Sequence, residues 1–153
     1  PAAEPSGANA VPGALAMGES EGLSWNAPSA WKKGPDKAMR AVTYIPSEGV
    51  ECYVAVLGGA GGGELANVNR WRKQLGREDL SPVDFDSLPR LQVMGAETRL
   101  IEIEGAGEAA GKSLLGVMVS TEDRSIFVKM TGPQALVKSA SAEFKKMVES
   151  AVK

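Results

Sequence analysis

The chain has 153 residues, 43% of them hydrophobic and 24% charged, a size and balance that suit one compact domain. With 17 Lys and Arg against 19 Asp and Glu the formal net charge is -2, so no overall field draws in phosphate polymers or an anionic bilayer, and nucleic acid is not an expected partner. Histidine is absent and cysteine occurs once, as Cys52, which closes Ser/His/Asp and Cys/His nucleophile activation, His-based zinc sites and any internal disulfide. The reading is of a protein that is not an enzyme, with no catalytic residue, metal site or cofactor.

Residues 1–22, rich in Ala, Pro, Gly and Ser and without hydrophobic periodicity, read as a disordered tether ahead of a single domain over 23–153. The chain opens PAAEPSGANAVPG at Pro1, and removal of an upstream piece is expected. Such a segment after a cleavage site suits a secreted or lipid-anchored bacterial protein; a cloning remnant or a plain disordered tail accounts for it as well. No stretch approaches the roughly 18 to 20 apolar residues of a membrane span, and no charged-then-apolar signal sequence is present. The expectation is a soluble chain.

In LSWNAPSAW, Leu23 and Trp25 alternate with Ser24 and Asn26 until Pro28 breaks the run, which predicts a short first strand. MRAVTYIP (Met39 to Pro46) and VECYVAVLG (Val50 to Gly58) are β-branched and aromatic runs parted by Ser47, Glu48 and Gly49, a hairpin pattern. In the second run Cys52, Val54 and Val56 share one face and Tyr53, Ala55 and Leu57 the other. A strand apolar on both sides is covered on both sides, which points to a sheet between helical layers.

GGAGGG (Gly58 to Gly63) then opens into ELANVNRWRKQLG, where Leu65, Val68, Trp71 and Leu75 recur at helical spacing and Gly76 can end the helix. Ser81 to Pro89 is turn-rich, with one helical turn expected after Pro82. LQVMG and ETRLIEIEG read as strands, the latter with Ile101 and Ile103 on one face and Glu102 and Glu104 facing water. SLLGVMVS and RSIFVKM bracket Thr121, Glu122 and Asp123 as a second hairpin. A last helix begins near Pro133 and presents Val137, Ala140, Phe144, Met147, Val148 and Ala151 as an apolar stripe. Strands broken by single helices, without regular βαβ alternation, give an α+β class with a largely antiparallel sheet.

Several motifs tempt and fall short. AGEAAGKS (Ala106 to Ser113) has a relaxed phosphate-loop spacing, but Lys112 and Ser113 lead into a strand where a helix is required. The glycine run has part of a dinucleotide fingerprint, yet Glu64 stands where the last glycine belongs and would repel a pyrophosphate. Ser29 and Lys32 have S-x-x-K spacing in a chain too short for penicillin-recognising enzymes. Glu78, Asp79, Asp84 and Asp86 lack the spacing of a calcium loop.

The helix NVNRWRKQ carries more. Arg72 falls inside its apolar arc with Asn69 at the edge, and a charge aimed at a core must be paired or reach out along its stem. Two readings stand. Arg72 and Asn69 bond to backbone carbonyls or an acid and lock the helix to the sheet, or Asn69, Arg70, Arg72 and Gln74 line a polar interaction face beside Trp71.

The segments LSWNAPSAWKK, MRAVTYIP, GGAGGGELANVNRWRKQLG and FVKMTGPQALVKSASAEFKKMVESAV together resemble a group of secreted or lipoprotein-like bacterial proteins, similar in outline to the Mog1/PsbP-like α/β/α sandwich. The resemblance spans about residues 23 to 152. It matches Asn67, Asn69, Arg70, Trp71, Arg72 and Gln74 in the helix, with Lys129, Thr131, Gly132 and Pro133 near the end. It implies docking proteins, since members of that fold include an accessory subunit of a photosynthetic complex and a partner of a nuclear GTPase; fold analogy alone fixes no function.

The expected role is therefore an extracytoplasmic binding or accessory protein, periplasmic or secreted, whose partner is an envelope protein or complex. Its expected site is Asn67, Asn69, Arg70, Trp71, Arg72 and Gln74, with membrane contact only through an N-terminal lipid anchor. The alternative is a protein or enzyme for a small anionic ligand, with a pocket framed by the Gly58 to Gly63 loop and Arg72.

Overall fold

The computed structural model describes residues 15–20, 22–58, 63–120 and 124–152. Strands β1 (Leu15–Ser20) and β2 (Leu23–Pro28) form a hairpin, followed by β3 (Lys32–Lys33), β4 (Val42–Ser47) and β5 (Val50–Gly58). Helix α1 (Glu64–Gln74) and the single turn α2 (Pro82–Asp86) lead to the small hairpin β6 (Arg90–Val93) and β7 (Ala96–Arg99). Then come β8 (Ile101–Glu104), β9 (Lys112–Ser120), β10 (Arg124–Pro133) and α3 (Gln134–Glu149). The main sheet runs β3-β4-β5-β10-β9-β8, every neighbour antiparallel.

Side-chain alternation divides this sheet between two cores. Cys52, Val54, Leu115, Val117, Ile126, Val128 and Met130 face α3, whose Val137, Phe144, Met147 and Val148 are all buried on them. Burying each such side chain contributes about 1.5–3 kcal/mol, far more than any surface ion pair. The Trp25 indole N–H donates to the Tyr44 hydroxyl at 2.8 Å, and Trp31 packs against the same ring, so the aromatic opening of the domain is core. Ala55, Leu114, Met118, Phe127, Ile101 and Ile103 face the other way and meet Val68 and Trp71 of α1. Both faces of the sheet carry a core, as expected, but on β5 the α3 face is the more fully covered, Tyr53 and Leu57 being partly exposed on the other.

The expected helices and turns also appear. Gly76 follows α1 with φ 74, and Ser81 caps α2 through Asp84 N–H with Pro82 in its first turn. Lys112 and Ser113 lie in β9, as the dismissal of the phosphate loop required.

Four boundaries differ from expectation. Leu15–Ser20, placed in the tether on composition, is a strand, because its backbone pairs with β2 from Leu15 against Pro28 to Ser20 against Leu23; residues 1–14 lie outside the described residues. Met39 to Ala41 belong to a loop, and β4 starts at Val42. Lys32–Lys33, past the Pro28 break where no strand was read, is a short edge strand beside β4. ETRLIEIEG is two strands, since Leu100 and Ile101 are both buried in succession and Leu100 N–H bonds to Pro89 O at 2.8 Å, breaking the alternation. Residues 59–62 of the glycine run and Thr121 to Asp123 lie outside the described residues, though β9 and β10 pair as the second hairpin demands.

Candidate functional site

The two faces of the sheet are covered unequally. Whereas α3 buries four large side chains, α1 buries only Asn67, Val68 and Trp71, and it lies over β8, β9 and β10. The same face of β4 and β5 is left to the loop 34–41. That loop is held by Ala41 N–H on Val54 O at 2.7 Å and by Gly34 N–H on Thr43 O at 2.8 Å. Met39, at φ 69 and 71% exposed, stands at its crest.

Between loop and helix runs an open groove of about 250 Å³. Met39 and Arg40 wall one side and Asn67 and Trp71 the other, over a floor of Tyr53, Leu57 and Phe127. The register explains its chemistry. Thr43, Tyr53, Lys129, Gly116 and Ile101 stand in one cross-strand row on this face. Gly116 has no side chain, so Trp71 settles there, edge-on to Phe127 with ring centres 6.2 Å apart. The Lys129 ammonium then lies 5.1 Å from the Trp71 ring centre and 5.9 Å from that of Tyr53, with the Arg40 guanidinium 3.9 Å over Tyr53.

Charge on this row is unbalanced. Lys37 and Arg40 share the Glu51 carboxylate at 3.1 and 3.2 Å, and Arg40 also donates to Thr43 Oγ1 at 3.3 Å. The Lys37 hydrogen bond, with Arg40 beside it, holds the Glu51 carboxyl below its ordinary range. Half-buried Lys129 has cation–π contacts alone among the described residues. Burial, with Arg40 nearby, pulls its pKa down, while burial raises the Tyr53 phenol. Two cations therefore share the Glu51 carboxylate, and Lys129 stands apart from them between the Tyr53 and Trp71 rings.

The helix residues singled out from sequence do not act as one group. Asn67 is buried, donating to Gly63 O at 2.7 Å and accepting from Arg70 Nη1 at 2.6 Å, so Asn67 and Trp71 come together at the groove wall with Arg70 bonded behind Asn67. Trp71 is core, not an exposed anchor, because it sits on the same stripe as Val68. Asn69 and Arg72 turn away. Asn69 exchanges hydrogen bonds with the Leu80 backbone at 2.8 and 3.4 Å, and Arg72 Nε donates to Glu78 O at 2.6 Å. They take the backbone-bonding reading, but fasten the helix to the loop that follows it rather than to the sheet. Gln74 is exposed in the last turn.

Of the loop expected to frame a pocket with Arg72, residues 59–62 lie outside the described residues, and the described end of it is far from that side chain. Gly63 precedes the helix and Arg72 lies in its last turn, roughly 13 Å apart along an α-helical rise. The acids are likewise dispersed. Asp86 and Glu64 pair with Arg99 at 2.8 and 3.3 Å, and no metal-binding cluster occurs among the described residues. Sequence reasoning passed over Met39, Arg40 and Tyr53 as site residues. Lys129 did carry a signal, as a lysine set among the apolar Phe127, Val128 and Met130 of its strand.

Helices over an antiparallel sheet make an α+β fold, and solved structures show that fold to be PsbP-like. No family model matches the sequence, and comparison with curated proteins finds no match. The fold is similar to cyanobacterial PsbP (CyanoP) of Synechocystis sp. PCC 6803, with TM-score 0.60 at 11% identity over 90% of this chain and 91% of that one. It is also similar to LpqN, involved in cell envelope biogenesis of Mycobacterium tuberculosis, with TM-score 0.55 at 8% identity over 86% and 82%. A Bacteroides thetaiotaomicron protein matches with TM-score 0.54 at 11% identity, over 84% of this chain but 44% of its own length. At these identities the likeness concerns the fold alone.

Proposed function

We propose that this chain is an extracytoplasmic accessory protein that docks on a protein of the cell envelope through the groove between the loop 34–41 and α1. One observation carries the reading: on this face the cover of the sheet is incomplete, and Met39 projects from the rim beside a floor of Tyr53, Leu57 and Phe127. The positive surplus of Arg40 and Lys129 complements an acidic partner surface. The absence of histidine fits binding better than hydrolytic chemistry, and the envelope role of LpqN agrees with the compartment. Among the described residues no helix is long and apolar enough to cross a membrane.

A photo-reactive benzophenone side chain placed at Met39 tests the reading in living cells, with Leu136 on α3, 37% exposed, as the control position. A discrete protein adduct from position 39 and none from 136 is the expected result. No adduct, or the same adducts from both, would remove the groove as a docking face.

A further inference from the structure

We infer that the groove takes an extended acidic segment, one carboxylate of which meets Lys129 and Arg40 while a neighbouring apolar side chain lies between Met39 and Trp71. The inference deepens the docking reading and rests on it. Size is the first argument. A groove of about 250 Å³ open to solvent falls below the range of roughly 300–1,000 Å³ that encloses small ligands, yet it accommodates one or two side chains of a chain laid along it. Charge is the second. Glu51 is already shared by Lys37 and Arg40, so Lys129 is the cation left to be neutralised. Its ammonium is half-buried between Tyr53 and Trp71, where an ion is incompletely hydrated and a charge-assisted hydrogen bond is strong. Polarity along the groove is the third. Leu57, Ala55 and Phe127 lie along one part of the lining and Tyr53 along another, where Arg40 stands over the Tyr53 ring and Lys129 lies beside it across the strands, which calls for an occupant with apolar and acidic side chains in close sequence.

The experiment titrates the full chain with the peptide acetyl-Leu-Asp-Leu-Asp-Leu-amide and with its Asn counterpart, following tryptophan emission. The acidic peptide is expected to bind saturably and the amide peptide about tenfold or more weakly. Lys129→Met loses the preference; Lys129→Arg, which keeps the charge, retains it. Equal binding of the two peptides, no saturation by the acidic one up to millimolar concentration, or an undiminished preference in folded Lys129→Met overturns the inference. A Met39 adduct that survives Lys129→Met would leave the docking face standing and remove the acidic occupant, so the two failures are separable.

Discussion

Trp71 reaches the sheet through the space left at Gly116, where an added β-carbon would stand 3.1 Å from the indole Cζ3. That contact is tighter than ordinary packing, so the side chain at position 116 sets how low the indole lies and where Lys129, the cross-strand neighbour of Gly116, can place its ammonium. Gly116→Ala asks for a shift of a few tenths of an ångström and removes a flexible glycine from a strand, two effects that oppose each other within about 1 kcal/mol. Gly116→Val must push its methyls into the ring and is expected to cost about 1–3 kcal/mol. Denaturant unfolding measures both, and tryptophan emission should change in the Val variant alone. Equal stability of Gly116→Val and the parent would show that Trp71 does not rest there.

Lys129→Met should leave the fold intact and raise its stability at neutral pH, since it removes a half-buried charge that no carboxylate balances among the described residues. The pH dependence follows from the sign of the shift. A lysine whose folded pKa is depressed holds fewer protons folded than unfolded, so its penalty is complete below the depressed value and fades as pH rises towards the ordinary 10.5. The advantage of Lys129→Met over the parent should therefore shrink on going from pH 8 to pH 10.5. Tyr44 and Tyr53 titrate late in both proteins and cancel in the comparison. An advantage constant over that range would mean that burial is not what distinguishes Lys129.

Local pattern carried most of the fold and little of the site. The stripe from Val137 to Val148 and the two-sided run of β5 state their own partners, because each buries residues at one period along one element. The strand at Leu15–Ser20 was hidden since its existence depends on backbone pairing with β2, not on its composition. The groove was hidden for a related reason. Arg40, Tyr53 and Lys129 come from a loop and two strands, and only the antiparallel register sets Tyr53 opposite Lys129. The apolar stripe of α1 placed Trp71 correctly in the core, while the preference of tryptophan for interfaces argued the other way; burial prevailed because Gly116 provides a seat.

Glu51 ties the rim of the groove to its floor. Glu51→Gln should cost about 0.5–1 kcal/mol at neutral pH, the scale of a partly exposed ion pair shared by two cations. Because its folded pKa lies below the ordinary 4.5, the stabilisation is complete above that value and is lost as pH falls through the depressed one. Parent and variant should converge in acid and in high salt. A difference that persists in acid would point to shape rather than charge as the contribution of Glu51.

Cys52 supplies an independent measure of these energies. Its thiol is fully buried on the α3 face, opposite Tyr44 on one neighbouring strand and Met130 on the other, and burial pushes its pKa far up. A reagent that needs the thiolate therefore meets neither access nor charge in the native state. Labelling by an aromatic disulfide should proceed only through opening of the core, at a rate set by the open population when reclosing is fast. A substitution on the other face of the sheet that destabilises the whole domain must then accelerate it, by about tenfold for each 1.4 kcal/mol. Gly116→Val should label faster than the parent by the factor its denaturant midpoint implies, and Lys129→Met more slowly. Rapid labelling of the folded parent, or equal rates in all three proteins, would show that Cys52 is reached by a local path and that the two cores do not open together.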